Sequence, residues 1–391
     1  MQARIPVSIV TGFLGAGKST LLNRLLKDPA MKDAAVIVNE FGDVGIDHLL
    51  VESSGDSVIE LSDGCLCCTM RGDLIDTLAE LMDRIQTGKL KPLKRIVVET
   101  TGLADPAPVM QSVMGHPVLI QNFELDGVVT VVDAANGLAT LDAHPESVRQ
   151  AAVADRLVLT KRSLADAGTV ERLMARLRAL NPRAVITDAE SDAPAASLLV
   201  NGLYDPDTKH PDVSRWLQEE GAHAHDHHHG DEHHEHGPDC GCGHDHGHDH
   251  HHHHHHHDDD HEHHRHADDI RSFSILHDQP IDPMAIEMFV DLLRSAHGEK
   301  LLRMKAVVQT SDRPDKPLVL HGVQSIFHPP VRLEAWPDPA DQRSRLVLIT
   351  KGLPEAFVRD LFAAFTGKPV VDRPDRTALS DNPLAVPGVT F

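Results

Sequence analysis

Gly12-Phe13-Leu14-Gly15-Ala16-Gly17-Lys18-Ser19 sets glycines, an ammonium and a hydroxyl at the spacing G-x-x-x-x-G-K-[ST]. Glycines let backbone N–H groups turn inward around phosphate oxygens, and a helix starting there adds its partial positive charge. In that arrangement Lys18 reaches the β- and γ-phosphates of a nucleotide, and the Ser19 hydroxyl joins a Mg²⁺ shell. Gly12, Gly15, Ala16, Gly17 and Thr20 complete the cradle. The competing reading is a Gly-rich turn with a chance Lys-Ser. Context argues against it: the apolar run Pro6–Val10 precedes the motif, and Leu21, Leu22, Leu25 and Leu26 mark a helix after it.

A second constellation is Cys65-Leu66-Cys67-Cys68. Three thiols so close cannot all pair with one another, and soft thiolates select Zn²⁺, Cu(I) and related ions. A fourth ligand has to come from elsewhere; the alternative is a buried or redox-active cysteine cluster. Glu99 ends the apolar run Ile96–Val98, where doubly wound sheets place ligand-contacting residues. A carboxylate there can orient Mg²⁺, directly or through water, unless it merely faces solvent. Gly102 allows close backbone approach to a γ-phosphate.

Of 31 histidines, 23 lie between His223 and His266, including the unbroken run His250–His257, and Cys240 and Cys242 fall among them. Imidazoles are mostly neutral at pH 7 and are ready ligands for Zn²⁺, Ni²⁺, Co²⁺ and Cu²⁺. The tract reads as a metal reservoir feeding the thiol site or, more blandly, as a polar linker that binds metal incidentally. It holds no aliphatic residue larger than Ala apart from Pro238, too little apolar surface to offset ordering, so a disordered insert is expected. The remaining eight histidines read as surface or packing residues, with His116 the one to test as an extra ligand.

These groups need elements to hold them. Strands are expected at Pro6–Val10, Ala35–Val38, Val58–Leu61, Arg95–Val98, Val128–Val132, Leu157–Leu159 and Ala184–Ile186, with amphipathic helices such as Asp73–Ile85 and Val170–Leu180 between them. β-Branched runs such as Val128-Val129-Thr130-Val131-Val132 suit a parallel sheet covered on both faces. The expected fold is α/β: a doubly wound P-loop domain with a mostly parallel sheet over 1–205. A His/Asp-rich linker (206–269), a smaller α+β domain (270–370) and a tail (371–391) follow. The second domain is expected to carry strands at Ile270–Ile275, Leu301–Gln309, Leu318–Val323 and Arg345–Ile349, and helices near Pro283–Ala296 and Pro354–Ala364.

Composition bounds the partners. A net charge of −22 argues against a nucleic-acid binder, which needs clustered Lys and Arg. No run of 18 apolar residues exists, so no spanning helix and no membrane partner is expected. Met1–Val10 runs into the glycine loop without a cleavage site and reads as a strand rather than a signal peptide. Five cysteines without such a signal imply a reducing, cytoplasmic setting.

With Asn39-Glu40-Phe41-Gly42, Glu99-Thr100-Thr101-Gly102 and Thr160-Lys161, these motifs resemble the CobW family of metal-related GTPases. The resemblance spans both domains and the His-rich connector. It implies Mg²⁺-dependent GTP hydrolysis, with Lys18 and Glu99 in the catalytic site, coupled to delivery of Zn²⁺ or Co²⁺ to a client metalloprotein. It implies that Asn39 and Glu40 lie in a first switch that senses the nucleotide. Glu40 would supply an oxygen to the metal at Cys65, Cys67 and Cys68, so nucleotide state would rearrange the metal ligands. Thr160 and Lys161 would meet the base.

The chain departs from the pattern at one place. Guanine readers carry Asn/Thr-Lys-x-Asp, and here the acidic position is Ser163. A hydroxyl cannot accept both N1–H and the 2-amino group; Asp166, three residues on, would substitute if the loop bends differently. No arginine finger or catalytic Gln is evident, so turnover should be slow. The reading is a zinc metallochaperone GTPase, a monomer or weak homo-oligomer. The alternatives are a cobalt chaperone for cobalamin biosynthesis and a metal buffer without nucleotide coupling.

Overall fold

The computed structural model describes residues 4–38, 58–60, 69–191, 195–199 and 269–367. Asn39, Glu40, Asp43, Asp47, Cys65, Cys67, Cys68, the histidine tract with Cys240 and Cys242, and the expected tail lie outside the described residues.

The β-branched runs of the first half form β1 (Ile5–Thr11), β2 (Ala34–Val38), β3 (Val58–Glu60), β4 (Arg95–Glu99), β5 (Phe123–Asp133), β6 (Arg156–Thr160) and β7 (Val185–Asp188). They lie in the order β3-β2-β4-β1-β5-β6-β7, every neighbouring pair parallel. Parallel pairing requires crossovers. These include α1 (Lys18–Leu26), α2 (Thr69–Gln86), α3 (Ala107–Gly115), α4 (Gly137–Ala143), α5 (Pro145–Ala152) and α6 (Ala167–Leu180).

Side-chain alternation sorts the strands between two faces. Val7, Ile9, Ile96, Val98, Leu157 and Leu159 pack with Leu74, Leu78, Leu173 and Leu177. Val97, Val129, Val131 and Val158 point the other way, onto Leu21, Leu22 and Leu25 of α1. Each such side chain, fully buried, contributes about 1.5–3 kcal/mol. The doubly wound α/β fold is thus the one the apolar runs indicated.

Two differences from the expected elements have physical causes. β5 starts at Phe123 rather than Val128, because Asp126 and Gly127, residue types depleted in strands, are accommodated in it. Ser8 donates to Asp126 at 2.9 Å, Arg95 adds a second bond, and β1 shifts register between Val7 and Ser8. α3 showed no amphipathic period because it is enclosed all round: Val109, Met110, Gln111, Ser112, Val113 and Met114 are all buried.

The second sheet contains β8 (Ile270–His277), β9 (Leu301–Val308), β10 (Leu318–Val323), β11 (Ile326–Phe327), β12 (Val331–Arg332) and β13 (Ser344–Lys351). Its order is β11-β10-β9-β13-β8, with β12 also on β10, and these pairs are antiparallel. α7 (Pro283–His297) and α8 (Glu355–Phe365) cover one face through Phe289, Leu293, Val358 and Phe362. Ile270, Leu302, Val323 and Ile349 instead join the core of the first domain.

A charge cluster fastens this contact. Asp155, at the N-terminal end of β6, accepts from Arg303 at 2.8 Å and from Lys305, both on β9, and from the Val128 N–H at 2.8 Å. Arg303 also donates to the Val153 carbonyl. Burial opposes ionisation of Asp155, but the two cations and the bonds outweigh it, and its pKa falls far below the ordinary carboxylate range. Next to Arg303, burial and the same two cations hold His321 neutral, well below its usual 6.5.

The signs follow from which state binds the proton. As pH falls below 6.5 the unfolded chain protonates at His321 and the folded chain does not, so stability drops. Below 3.8 the same holds at Asp155. Urea melts at stepped pH should therefore show a loss starting near 6.5 that His321→Gln reduces, the remainder coming from His328, whose pKa burial also lowers. Arg303→Met, which leaves the buried Asp155 with Lys305 as its one cation, should cost about 1–3 kcal/mol at neutral pH. An unchanged melt in either variant contradicts the assignment.

Candidate functional site

Because the first sheet is parallel, β1, β4, β5, β6 and β7 all end on one edge, and the segments leaving them meet there. The Gly12–Ser19 loop links β1 to α1. Gly12, Gly15 and Gly17 have φ of 140°, 72° and 97°, values an L side chain rarely adopts. A Cβ at Gly12 would run into the Val131 carbonyl oxygen. A Cβ at Gly102 would stand 2.6 Å from the Leu14 nitrogen, so the segment after β4 lies directly against the loop. A cradle that glycine alone can form, at a helix N-terminus, fits a phosphate chain.

Lys18 donates back to the carbonyls of Gly12 at 3.1 Å and Phe13 at 3.4 Å, which keeps its ammonium on the loop. Ser19 and Thr20 occupy the first turn of α1, and Thr20 is exposed. Glu99 is buried at the end of β4, in register with Val10 of β1 and Val38 of β2. Thr100 donates to Thr11 at 2.8 Å, tying the two strand exits together. Gln150 of α5 holds the next turn by donating to the carbonyls of Gly102 at 3.1 Å and Ala104 at 2.9 Å.

From β6, Thr160 donates to the Ala16 carbonyl at 2.6 Å. Lys161 has a left-handed backbone (φ 53°), uncommon for a residue with a Cβ. Its ammonium reaches the Gly15 carbonyl at 2.8 Å and the Asp133 carboxylate at 2.9 Å. Burial works against ionisation of Asp133, but the bonds from Lys161, Asn136 and Ala135 prevail and lower its pKa. The phosphate loop is therefore braced by β4, β5 and β6 together.

This geometry coincides with two family models. The CobW/HypB/UreG nucleotide-binding domain matches residues 6–188, and the cobalamin synthesis protein cobW C-terminal domain matches 270–366. The zinc chaperone YjiA of Escherichia coli is 30% identical over 362 residues, spanning 92% of this chain and 98% of that protein. The chain belongs to the CobW family. Among its other relatives is the zinc-regulated GTPase metalloprotein activator 1 of Saccharomyces cerevisiae, 34% identical over 229 residues, which span 52% of each chain. The crystal structure of Zn(II)-bound YjiA GTPase from E. coli superposes with a TM-score of 0.61 at 25% identity, covering 93% of this chain and 99% of that one.

Of the candidate residues in this CobW chain, Gly12, Gly15, Ala16, Gly17, Lys18, Ser19, Thr20, Glu99, Gly102, Thr160 and Lys161 gather on one edge. Asn39, Glu40, Cys65, Cys67 and Cys68 lie outside the described residues. No group of three or more His, Cys, Asp or Glu suited to a metal occurs among the described residues. His116 ends α3 with its Nδ1 enclosed and without a hydrogen-bond partner. Asp166 is not a stand-in for the missing base-reading acid. It caps α6, accepting from the Thr169 N–H at 2.9 Å and its hydroxyl at 2.6 Å.

Sequence reasoning passed over Gln150, Asp133 and the Thr11–Thr100 pair, since each is an ordinary polar residue until the fold brings it to the loop. Gly102→Ala should force the phosphate loop and the Thr101–Ala104 turn apart. Overpacking of this kind costs about 1–3 kcal/mol. Titration with a fluorescent GTP analogue should show the loss as weaker binding, and undiminished affinity would contradict the close approach.

Proposed function

We propose that this chain is a Mg²⁺-dependent, slow GTPase that works as a zinc metallochaperone, loading Zn²⁺ as cargo into a client metalloprotein in the cytoplasm. One observation carries the reading: its likeness to the zinc chaperone YjiA extends across 92% of the chain, the second domain included. Lys18 and the loop N–H groups would hold the β- and γ-phosphates, with Asn39 and Gly102 beside them. Ser19 and Glu99 would hold Mg²⁺, which when bound neutralises the charge of the phosphates. Thr160 and Lys161 would flank the base. Gln150, buried, donates its amide nitrogen to the Gly102 and Ala104 carbonyls and would hold the turn beside the γ-phosphate in place.

The Zn²⁺ cargo would sit on Cys65, Cys67, Cys68 and Glu40, which lies two residues beyond the end of β2 in the sequence. Coupling to the second domain has a physical route in the described residues. α3 begins five residues after Gly102 and touches β10 and β11: Gln111 donates to Gln324 at 2.6 Å, and Ile326 packs over Gly115. We retain 1–205, 206–269, 270–370 and 371–391 as the division of the chain. The name of the C-terminal family model favours cobalt as cargo, the names of the relatives favour zinc.

Deleting 221–266 removes the histidines that would mask a specific site. Zn²⁺ titrations of that protein against a chelator dye, with Mg²⁺·GTP, with Mg²⁺·GDP and without nucleotide, should differ by about tenfold or more, roughly 1.4 kcal/mol of coupling. Coincident curves would leave the metal-buffer reading in its place. A parallel Co²⁺ series that shows the larger coupling would reassign the cargo.

A further inference from the structure

Ser163 leaves the base edge of this site without the carboxylate that guanine requires. Guanine offers two adjacent donors, N1–H and the 2-amino group, and a carboxylate accepts both in parallel. On the GTPase reading, another group of this chain has to supply that carboxylate.

Among the described residues, Asp133, Asp166, Asp188 and Glu190 lie near the exits of β5, β6 and β7. Asp133 is engaged by Lys161 and by Asn136. Asp166 caps α6. Asp188 pairs with Arg162 at 3.1 Å and accepts the Glu190 N–H at 2.8 Å. Glu190 is different. Its two oxygens face Ser163, one accepting the backbone N–H and the other the hydroxyl, each at 3.3 Å. Both bonds exceed the usual ranges, about 2.7–3.2 Å for N–H···O and about 2.5–3.0 Å for O–H···O.

Glu190 reaches Ser163 because the two strands exit side by side. Leu159 of β6 is paired with Asp188 of β7, and the Ala189 N–H donates to the Leu159 carbonyl at 2.8 Å. The loop after β7 is also tied to the phosphate-loop helix. Arg24 of α1 donates to the carbonyls of Ala189 and, at 2.9 Å, of Ser191. One guanidinium therefore fixes both neighbours of Glu190 to the helix that begins at Lys18. Two residues before Ser163, Lys161 lies on the Gly15 carbonyl at 2.8 Å.

We propose that Glu190, held at the Ser163 position by the loop after β7, is the carboxylate that reads the guanine N1–H and 2-amino group. Ser163 supplies the perch rather than the reader. When the base arrives, the two long bonds to Ser163 give way to two shorter, charge-assisted bonds from the purine. Arg24 is a positioning residue, setting how far the Glu190 loop stands from the phosphate loop.

The test is competition against a fluorescent GTP analogue on the full-length protein with Mg²⁺, using GTP, ATP and xanthosine triphosphate (XTP). Xanthine carries an oxygen where guanine has its 2-amino group. Glu190→Gln puts an amide donor opposite that oxygen and keeps an acceptor for N1–H. The variant should lose GTP affinity by about tenfold or more and gain affinity for XTP. Ser163→Asp combined with Glu190→Ala should recover GTP binding, which a merely structural Glu190 would not produce. Unaltered GTP and XTP affinities in Glu190→Gln, with a parent that prefers GTP to ATP, would overturn the assignment while leaving the GTPase reading intact. A parent indifferent between GTP and ATP would overturn the guanine reading itself, and the role of Glu190 with it.

Discussion

The nucleotide edge depends on how closely three stretches of backbone approach one another. Gly12 lies so near the Val131 carbonyl, and Gly102 so near the Leu14 nitrogen, that neither position has room for a Cβ. Those two approaches set the height of the phosphate loop above the sheet. Once that height is fixed, Thr160 and Lys161 reach the loop carbonyls with ordinary rotamer lengths, and Thr100 meets Thr11. Parallel strand order brings the segments together; the glycines let them touch.

Charge is handled differently by two carboxylates at the N-terminal ends of neighbouring strands, β5 and β6. Asp126 and Asp155 are both buried, yet their ionisation shifts in opposite directions. Asp126 has one guanidinium, that of Arg95, and burial prevails, so its pKa rises. Asp155 has Arg303 and Lys305, and two cations reverse the outcome. A single partner does not repay desolvation in a tight interior, whereas two partners with bonds to both oxygens do. The second pairing is also the one that crosses between domains, so the carboxylate held most firmly in its charged form is the one joining the two sheets.

Most of this architecture was legible before any coordinates. The strands of the first sheet and the helices α6, α7 and α8 follow from apolar periodicity, because burial on one or both faces leaves a period in the sequence. The phosphate loop was legible because its chemistry requires residues contiguous in the chain. What could not be read was assembled from distant positions. Gln150 holds a turn 48 residues away, and Asp155 meets Arg303 across 148 residues. α3 escaped notice for a different reason: a helix buried on every side carries no amphipathic stripe. Asp166, an apparent substitute three residues from Ser163, turned out to be occupied by the local need to cap α6, a competition that linear spacing does not reveal.

Two of the contacts between the domains differ in kind, and the difference has a mechanical meaning. At Asp155 the second sheet is pinned by buried charge and a backbone bond, which would be left unpaired in the interior if broken. At α3 it is held by a neutral amide bond and by apolar packing, with Ile326 over Gly115 and Val323 in the shared core. Apolar side chains can shift against one another at lower cost than a buried charge pair can separate. The yielding contact sits on the helix that follows the Gly102 turn, and the fixed one sits where β6 begins. A displacement of that turn would therefore meet the second sheet first where it gives most easily, with Asp155 as the point that stays put.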